Sequence, residues 1–267
     1  MRNRPIISLT TDFGLRDYYV GALKGALLRA CPEACLVDVS HAVRPFDIVE
    51  AAFLVENARI FFPEGSMHLI GVHCAYAPDF RFVVVQRDGH YFAAPDNGVL
   101  SLIFEGELDA RSLPVSDHGA FPVMEAFALA VGHLGAGQTL DTLGVPAGPL
   151  MERVGLRPVT TRSRIRGMVM RVDNFDNVQV NIQRETFERI GRGRPFSLFF
   201  KRHDPITVLS HHYADVPEGE PLCWFNSAGY LEIAVNMGRA ATLFGLKEED
   251  VVEVVFEELP EGSVTRI

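Results

Sequence analysis

The first half of the chain mixes short apolar runs with segments whose apolar residues recur at helical spacing. Strands are predicted where apolar residues run together, at 6–10, 35–39, 67–72, 82–86 and 91–94. Helices are predicted where they recur every three to four positions, at 18–30, 47–57 and 124–134. The Asp88-Gly89 pair predicts a hairpin turn between two of the strands. This pattern predicts an α/β domain over 1–155, with a mixed sheet flanked by helices.

The second half has a different pattern. Glycine and proline are frequent over 135–166, no apolar period survives there, and arginines are scattered along it. An anion site would use such arginines, but a solvated linker is the commoner case, so we predict a linker at 156–166. Short apolar runs separated by turns then follow, at 167–172, 178–182, 196–200, 222–225, 230–235 and 251–256. They predict an all-β domain over 167–267, either a small barrel or a sandwich.

Composition narrows the class of protein. Of the 267 residues 48% are hydrophobic, which excludes a disordered chain, and the net charge of −9 disfavours nucleic acid or an anionic membrane as the main partner. The chain has no secretory-type apolar stretch near its start and no run long enough to span a membrane. We therefore expect a cytoplasmic protein.

The four cysteines predict no metal centre. Cys31 and Cys35 are close together in sequence, but Cys74 and Cys223 are isolated, so no second pair completes a zinc site. We expect reduced thiols, no bound metal and no cofactor.

Polar clusters follow several of the predicted strands, where ligands bind in open α/β sheets. They occupy 10–14, 95–98, 173–177 and 226–229. In the first cluster, Asp12 is suited to accept hydrogen bonds from the hydroxyls of a ribose, although a turn or helix-capping aspartate explains it equally well. Each of the others, taken singly, also reads as a turn.

Taken together and in order, these segments resemble one family, the S-adenosylmethionine hydroxide adenosyltransferases, which are related to fluorinating and chlorinating enzymes that act at the same carbon. The matching stretches cover essentially the whole chain: LTTDFG at 9–14, DYYVG at 17–21, VDVSH at 37–41, PFDI at 45–48, APDNG at 94–98, VDNFDN at 172–177 and NSAGYLEIAVN at 226–236. The resemblance implies an α/β domain followed by a β-barrel, and a homotrimer whose sites lie between one subunit's first domain and a neighbour's second. It also implies hydrolysis of S-adenosylmethionine at the ribose C5′ to adenosine and methionine.

The resemblance assigns substrate roles to residues of the first domain. Asp12 falls where the family holds the ribose hydroxyls. Phe46 falls where an apolar ring packs at the reacting end of the substrate.

It assigns the remaining substrate contacts to the second domain. Asp173 and Ser227 fall where the amino and carboxylate groups of the methionine part are held. Asn177 matches the amide that reads adenine, Phe175 its apolar neighbour, and Tyr213 a ring that stacks on adenine. Such residue types suit a ligand with an ammonium, a carboxylate, a sulfonium and a purine.

The chain departs from the family where the attacking water is handled. Hydrolases of the family carry an Asp, an Arg and a His there, and the matching positions here hold His73, Phe80 and Pro122. Candidates that restore the chemistry are His73 as a general base, Arg81 as a cation and His118 as a second imidazole.

Three functions therefore stay open: hydrolysis of S-adenosylmethionine, binding of it or of adenosine without turnover, and transfer of another nucleophile to C5′. Halogenating members carry an extra loop before the APDNG turn, where this chain has only a tight hairpin over 82–94. We therefore favour the hydrolase.

Overall fold

The structure, a computed structural model, describes residues 4–74, 80–115 and 121–258. The chain divides into two compact units, Met1–Gly155 and Leu156–Ile267. Within the described ranges, none of the helices has the length and apolar character needed to cross a bilayer. His118, one of the candidate imidazoles, lies outside the described residues.

The first unit is a mixed sheet with helices. Its strands are β1 (Ile6–Thr11), β2 (Cys35–Ser40), β3 (Met67–Gly71), β4 (Phe82–Arg87), β5 (His90–Pro95), β6 (Ala110–Leu113) and β7 (Val145–Pro146). Its α-helices are α1 (Tyr19–Ala30), α2 (Ile48–Arg59), α3 (Val99–Ile103) and α4 (Pro122–Gly135).

The order of the strands sets the position of the site. The sheet runs β2-β1-β3-β5-β4-β6-β7, and β2, β1, β3 and β5 are parallel neighbours, whereas the remaining pairs are antiparallel. The chain leaves β1 toward β2 on one side and continues to β3 on the other side of β1. The loops after β1, β2 and β3 therefore lie at the same carboxyl edge of the sheet, the place where open α/β sheets bind ligands.

Both faces of this sheet are covered. In β4, Phe82 and Val84 belong to the core that contains residues of α1 and α4, and Val83 and Val85 belong to the core that contains residues of α2 and α3. Successive side chains of a strand point to opposite faces, so a strand covered on both sides needs apolar residues at every position. The predicted mixed α/β sheet flanked by helices is confirmed.

The second unit is a curled antiparallel sheet. Its strands are β8 (Val159–Thr160), β9 (Arg164–Val172), β10 (Val178–Gln183), β11 (Phe196–Phe200), β12 (Pro221–Phe225), β13 (Tyr230–Val235) and β14 (Val251–Phe256). Their order is β11-β14-β9-β10-β13-β12, with β8 paired to β9. The segment 206–210 pairs with both edge strands, through Ile206 with Leu198 and through Leu209 with Cys223. The sheet thus curls into a half-barrel.

Two expectations for this unit need correction. It is not all-β, because it also contains α5 (Arg184–Gly191) and α6 (Ala240–Phe244). The periodic signal missed both, since α5 buries only Phe187 and Gly191 and α6 has five residues. Nor is 156–166 purely a linker, because β8 and the start of β9 lie inside it, with Ile165 fully buried between two arginines.

Two buried imidazoles, those of His68 in β3 and His90 in β5, lie side by side on neighbouring parallel strands. His68 Nδ1 is 2.6 Å from Ser8 Oγ, its Nε2 is 3.3 Å from His90 Nδ1, and its ring stacks on Phe92. Burial, followed by the charges of His90 and Arg59, lowers the pKa of His68 to about 4. The folded chain therefore prefers the neutral ring.

This preference makes stability depend on pH. The unfolded chain takes up the His68 proton near pH 6.5, whereas the folded chain does so only near pH 4, so the stabilisation is complete above pH 6.5 and is lost as the pH falls toward 4. The loss is on the order of 3 kcal/mol. We expect His68→Gln to flatten the dependence of the unfolding free energy on pH between 7 and 4, as measured by urea denaturation. The matched variant of an exposed histidine, His211→Gln, should keep the wild-type slope, and an equally steep His68→Gln curve would contradict the assignment.

Candidate functional site

Three loops of the first unit meet at the carboxylate of Asp12. This residue directly follows β1, and its Oδ2 accepts hydrogen bonds from the backbone N–H of Phe46, at 2.9 Å, and of His73, at 3.0 Å. Phe46 lies in the loop after β2 and His73 in the loop after β3. Because these strands are parallel neighbours, their carboxyl ends bring the loops together.

The two amides reach Asp12 through an uncommon backbone conformation. Phe46 and His73 have φ angles of 70° and 52°, in the left-handed region that non-glycine residues rarely adopt. Such conformations cost about 1–3 kcal/mol and persist only where surrounding contacts enforce them. Such backbone conformations are concentrated at functional sites. The clamp formed by the Asp12 carboxylate and the amides of Phe46 and His73 is therefore a candidate functional site.

The clamp leaves one oxygen of the carboxylate open. Oδ2 of Asp12 already accepts two hydrogen bonds, whereas Oδ1 accepts none from the part of the chain that the structure describes. A half-buried carboxylate with one engaged and one open oxygen is an oriented acceptor for hydroxyl donors.

A chain of polar side chains, buried at Thr11 and His41 and reaching the surface at Asp38 and Lys24, supports the Asp12 loop. Thr11 Oγ1 is 2.8 Å from His41 Nδ1, His41 Nε2 is 3.0 Å from Asp38 Oδ1, and Lys24 Nζ is 2.6 Å from Asp38 Oδ2. The His41 carbonyl accepts the Gly14 N–H at 2.7 Å, so both ends of the loop are held. Burial raises the pKa of the Asp38 carboxyl, but the bonds from Lys24 and His41 outweigh burial and leave that pKa below its usual value.

A second set of contacts holds the His73 loop. The buried Asn97 donates Nδ2 to the carbonyls of Val72, at 3.1 Å, and His73, at 3.4 Å, and its Oδ1 accepts the Val99 N–H at the start of α3. The imidazole of His73 is exposed and lies edge-on to the Phe46 ring, with the ring centres 5.4 Å apart. The Phe46 ring itself is 66% exposed. An aromatic ring and an imidazole are thus presented together beside the Asp12 carboxylate.

Arg81 occupies a structural clamp. Its Nε donates to Asp96 Oδ2 at 2.8 Å, and its two terminal nitrogens donate to the carbonyls of Ala147 and Pro149. Asp96 Oδ1 accepts the Met151 N–H at 2.8 Å. All three guanidinium nitrogens are engaged in joining the segment 147–151 to the APDNG turn. We therefore assign Arg81 a structural role and leave it out of the proposed chemistry.

Cys74 and Phe80 flank the segment next to His73. Burial, followed by the charge of Asp12, raises the pKa of the Cys74 thiol well above its usual range, so this thiol stays neutral. Phe80 packs edge-on against Phe82 at the margin of the core. Among the residues described, no group of three or more His, Cys, Asp and Glu side chains is placed to hold a metal ion.

In the second unit, the predicted site residues begin with a tight turn over 173–177. Asp173 Oδ1 accepts the N–H groups of Phe175, at 2.8 Å, and Asn177, at 2.9 Å. Asp176, with a φ of 69°, accepts the Thr242 N–H through its carboxylate at 2.8 Å, which ties the turn to α6. The turn leaves the Phe175 ring 75% exposed.

The turn continues into a side-chain network. Asn177 Nδ2 is 3.3 Å from both Asp173 Oδ2 and the Tyr213 hydroxyl. Tyr213 donates its hydroxyl to Glu232 Oε1 at 2.9 Å, and Trp224 Nε1 donates to the same oxygen at 2.9 Å. The structure thus brings three predicted residues, Asp173, Asn177 and Tyr213, into one connected set.

The network ends at the turn that contains Ser227. Glu232 Oε2 accepts Asn226 Nδ2 at 3.1 Å, and Asn226 Oδ1 accepts the N–H groups of Ala228 and Tyr230, both at 3.1 Å. Ser227 is exposed at the tip of this turn.

Sequence reasoning assigned no role to Glu232, Trp224 or Asn226. A signal for the first was present, because Glu232 is the one charged residue in the apolar run YLEIAV. A charge in a buried strand implies partners that satisfy it.

Comparison with known proteins identifies the family. The model of the SAM hydroxide adenosyltransferase N-terminal domain matches residues 7–144, and that of the C-terminal domain matches residues 167–253. A protein named (R)-S-adenosyl-L-methionine hydrolase from Salinispora tropica is 32% identical, over 95% of this chain and 99% of its own. A protein of the same name from Thermus thermophilus is 30% identical over 92% and 97%, and a fluorinase from Actinopolyspora mzabensis is 28% identical over 94% and 97%.

A solved structure supports the same relationship. The crystal structure of an uncharacterized conserved protein from Thermotoga maritima matches with a TM-score of 0.84 and 30% identity, over 94% of this chain and 99% of that one. Since the two family models together span most of the sequence, the chain belongs to the S-adenosylmethionine hydroxide adenosyltransferase family, which confirms the resemblance drawn from its motifs.

Proposed function

We propose that the protein binds S-adenosylmethionine and hydrolyses it at the ribose C5′ to adenosine and L-methionine. The observation that carries the proposal is the open Oδ1 of Asp12, on a carboxylate whose other oxygen is held by two backbone amides. A ribose offers two neighbouring hydroxyl donors, and a charged acceptor binds them more strongly than a neutral one. Membership of a family with relatives named S-adenosyl-L-methionine hydrolase supports the same choice of ligand.

In this proposal the second unit binds the remaining parts of the ligand. Asp173 holds the ammonium and Ser227 the carboxylate of the methionine part. Asn177 bonds the adenine edge, and the rings of Phe175 and Tyr213 pack against the purine. The exposure of Phe175, at 75%, fits a ring that a ligand or a neighbouring subunit covers. We propose that the two half-sites complete each other between subunits of a homotrimer.

The proposed reaction is an in-line displacement. The water oxygen forms a bond to C5′ while the C5′–S bond breaks, and the electron pair of that bond stays on sulfur, which becomes the neutral thioether of methionine. The proton lost by the water passes to the imidazole of His73 and from there to solvent. His73 is suited to this role because its side chain is exposed beside Phe46, while its backbone N–H holds Asp12.

One observation favours alternatives in which the ligand is bound without hydrolysis, or in which C5′ is transferred to another nucleophile. The positions at which hydrolases of the family carry an Asp and an Arg hold His73 and Phe80 here, and Phe80 packs against Phe82. The contacts proposed for substrate binding are thus kept, whereas those for water are changed.

Product analysis separates the three functions. We expect purified protein incubated with S-adenosylmethionine to release adenosine and methionine in equal amounts, as measured by chromatography. An intact ligand with a raised melting temperature would indicate a binding protein, and a 5′-substituted adenosine would indicate a transferase. The proposal would be refuted if no product formed and the melting temperature did not change.

Substitution of Asp12 tests the ribose clamp. An asparagine at this position cannot satisfy both sides, because its single oxygen faces either the amides of Phe46 and His73 or the ribose, and its NH2 then opposes donors on the other side. We expect Asp12→Asn to weaken ligand binding by roughly 100-fold, or about 3 kcal/mol, as measured by calorimetry. The exposed Asp204→Asn variant serves as the control. Unchanged affinity in Asp12→Asn would contradict the assignment.

Substitution of His73 tests the general base separately from binding. Asparagine tolerates a left-handed φ, keeps the backbone N–H that holds Asp12, and cannot accept the proton of the water. We expect His73→Asn to lower kcat by 100-fold or more, with little change in affinity. The control is the same change at the exposed His211. A His73→Asn enzyme with the wild-type kcat would show that His73 is not the base.

A further inference from the structure

Glu232 is a buried acid that is bonded only by neutral groups. Its side chain lies in β13, is 2% exposed, and accepts hydrogen bonds from Tyr213, Trp224 and Asn226. Among the described residues no Lys, Arg or His forms an ion pair with it. Burial of a carboxylate without a cation is costly, so its presence in this strand points to a role beyond packing.

The direction of its hydrogen bonds sets the direction of the next ones. The Tyr213 hydroxyl has a single hydrogen, which it donates to Glu232, so its oxygen can only accept from Asn177. The second hydrogen of Asn177 Nδ2 faces Asp173 Oδ2, which is also an acceptor. The amide of Asn177 is therefore held with its NH2 toward the network. Its Oδ1 accepts nothing from the described part of the chain.

We infer that Glu232 is a positioning residue that, through Tyr213, keeps Asn177 Oδ1 as the acceptor for a purine 6-amino group and thereby selects 6-amino over 6-oxo purine nucleosides. The inference rests on the proposed function, in which Asn177 bonds the adenine edge. A 6-oxo purine presents a carbonyl at the same place, and two facing acceptors repel each other. A site with a fixed polar partner rejects the wrong analogue strongly, since that partner is then left unpaired.

The protonation states are consistent with this set of hydrogen bonds from Glu232 through Tyr213 to Asn177, which we call the relay. Burial, then the charge of Glu232 and the hydrogen bond to it, raise the pKa of Tyr213, so the hydroxyl keeps the proton that it donates. Trp224 Nε1 can only donate, and Asn226 is held with its NH2 toward Glu232 because its Oδ1 accepts two backbone N–H groups.

A neutral amide cannot replace the carboxylate in this position. In Glu232→Gln the new NH2 faces either Asn226 Nδ2 or both Trp224 Nε1 and the Tyr213 hydroxyl. In the second arrangement Tyr213 turns its proton toward Asn177, so that Asp173 Oδ2 alone favours the original orientation of the Asn177 amide.

The test is the ratio of the dissociation constants of inosine and adenosine, measured by calorimetry on the full chain. We expect the wild-type protein to prefer adenosine, and Glu232→Gln and Tyr213→Phe each to reduce the ratio by about tenfold. Because both act on the same relay, the double variant should show no further reduction.

Two matched variants separate selectivity from folding. Tyr230→Phe removes a hydroxyl from the same strand, and Glu253→Gln removes a carboxylate from β14, and both should keep the wild-type ratio. Melting temperatures report whether each variant is folded. If Glu232→Gln does not fold, the ratio of dissociation constants measured for Tyr213→Phe tests the inference.

The outcomes that overturn the inference differ from those that overturn the proposed function. A wild-type protein that binds both nucleosides equally, an unchanged ratio in Tyr213→Phe, or independent effects that multiply in the double variant would each refute the relay while nucleoside binding stands. A wild-type protein that binds neither nucleoside nor S-adenosylmethionine would refute the proposed function, and the relay with it.

Discussion

The first unit depends on one carboxylate oxygen that receives two backbone amides. Asp12 Oδ2 joins the loops that follow three parallel strands, and the left-handed conformations of Phe46 and His73 are tolerable because the charged acceptor offsets their strain. The polar chain through His41 and the amide of Asn97 hold the same loops from two other directions. Oδ1, the oxygen that we propose binds the ribose, is thus fixed in position before any ligand arrives, which lowers the entropic cost of binding.

In the second unit a network of side chains, rather than backbone amides, holds the candidate site residues. There the hydrogen bonds run between side chains, from Asp173 to Asn226, and converge on the buried Glu232. A buried carboxylate at this position makes the fold less stable than an apolar residue would. It also permits only one arrangement of the surrounding donors and acceptors. Each unit therefore contains a charged centre whose neighbours are all hydrogen-bond donors.

The sequence predicts the architecture of the first unit well because strands covered on both faces are apolar at every position. It predicts Asp12, Asp173 and Asn177 as members of polar clusters, the family resemblance adds Tyr213, and the structure shows what each contacts. The partners of Glu232 follow from strand pairing, since Trp224 lies opposite it on β12, and register is not visible in a single strand. The clamp of Arg81 onto two distant carbonyls likewise depends on tertiary structure.

The donors that grip Asp12 belong to the main chain, and every amino acid except proline supplies such a donor. Exchange of the side chain at position 73 therefore leaves the hydrogen bond to Asp12 intact, provided that the new residue accepts a left-handed backbone. In the proposed function, the side chain at position 73 can therefore alter the chemistry at the reacting carbon while the backbone of the same residue keeps the hold on the nucleoside. Under that proposal, catalysis and recognition depend on different atoms of one residue.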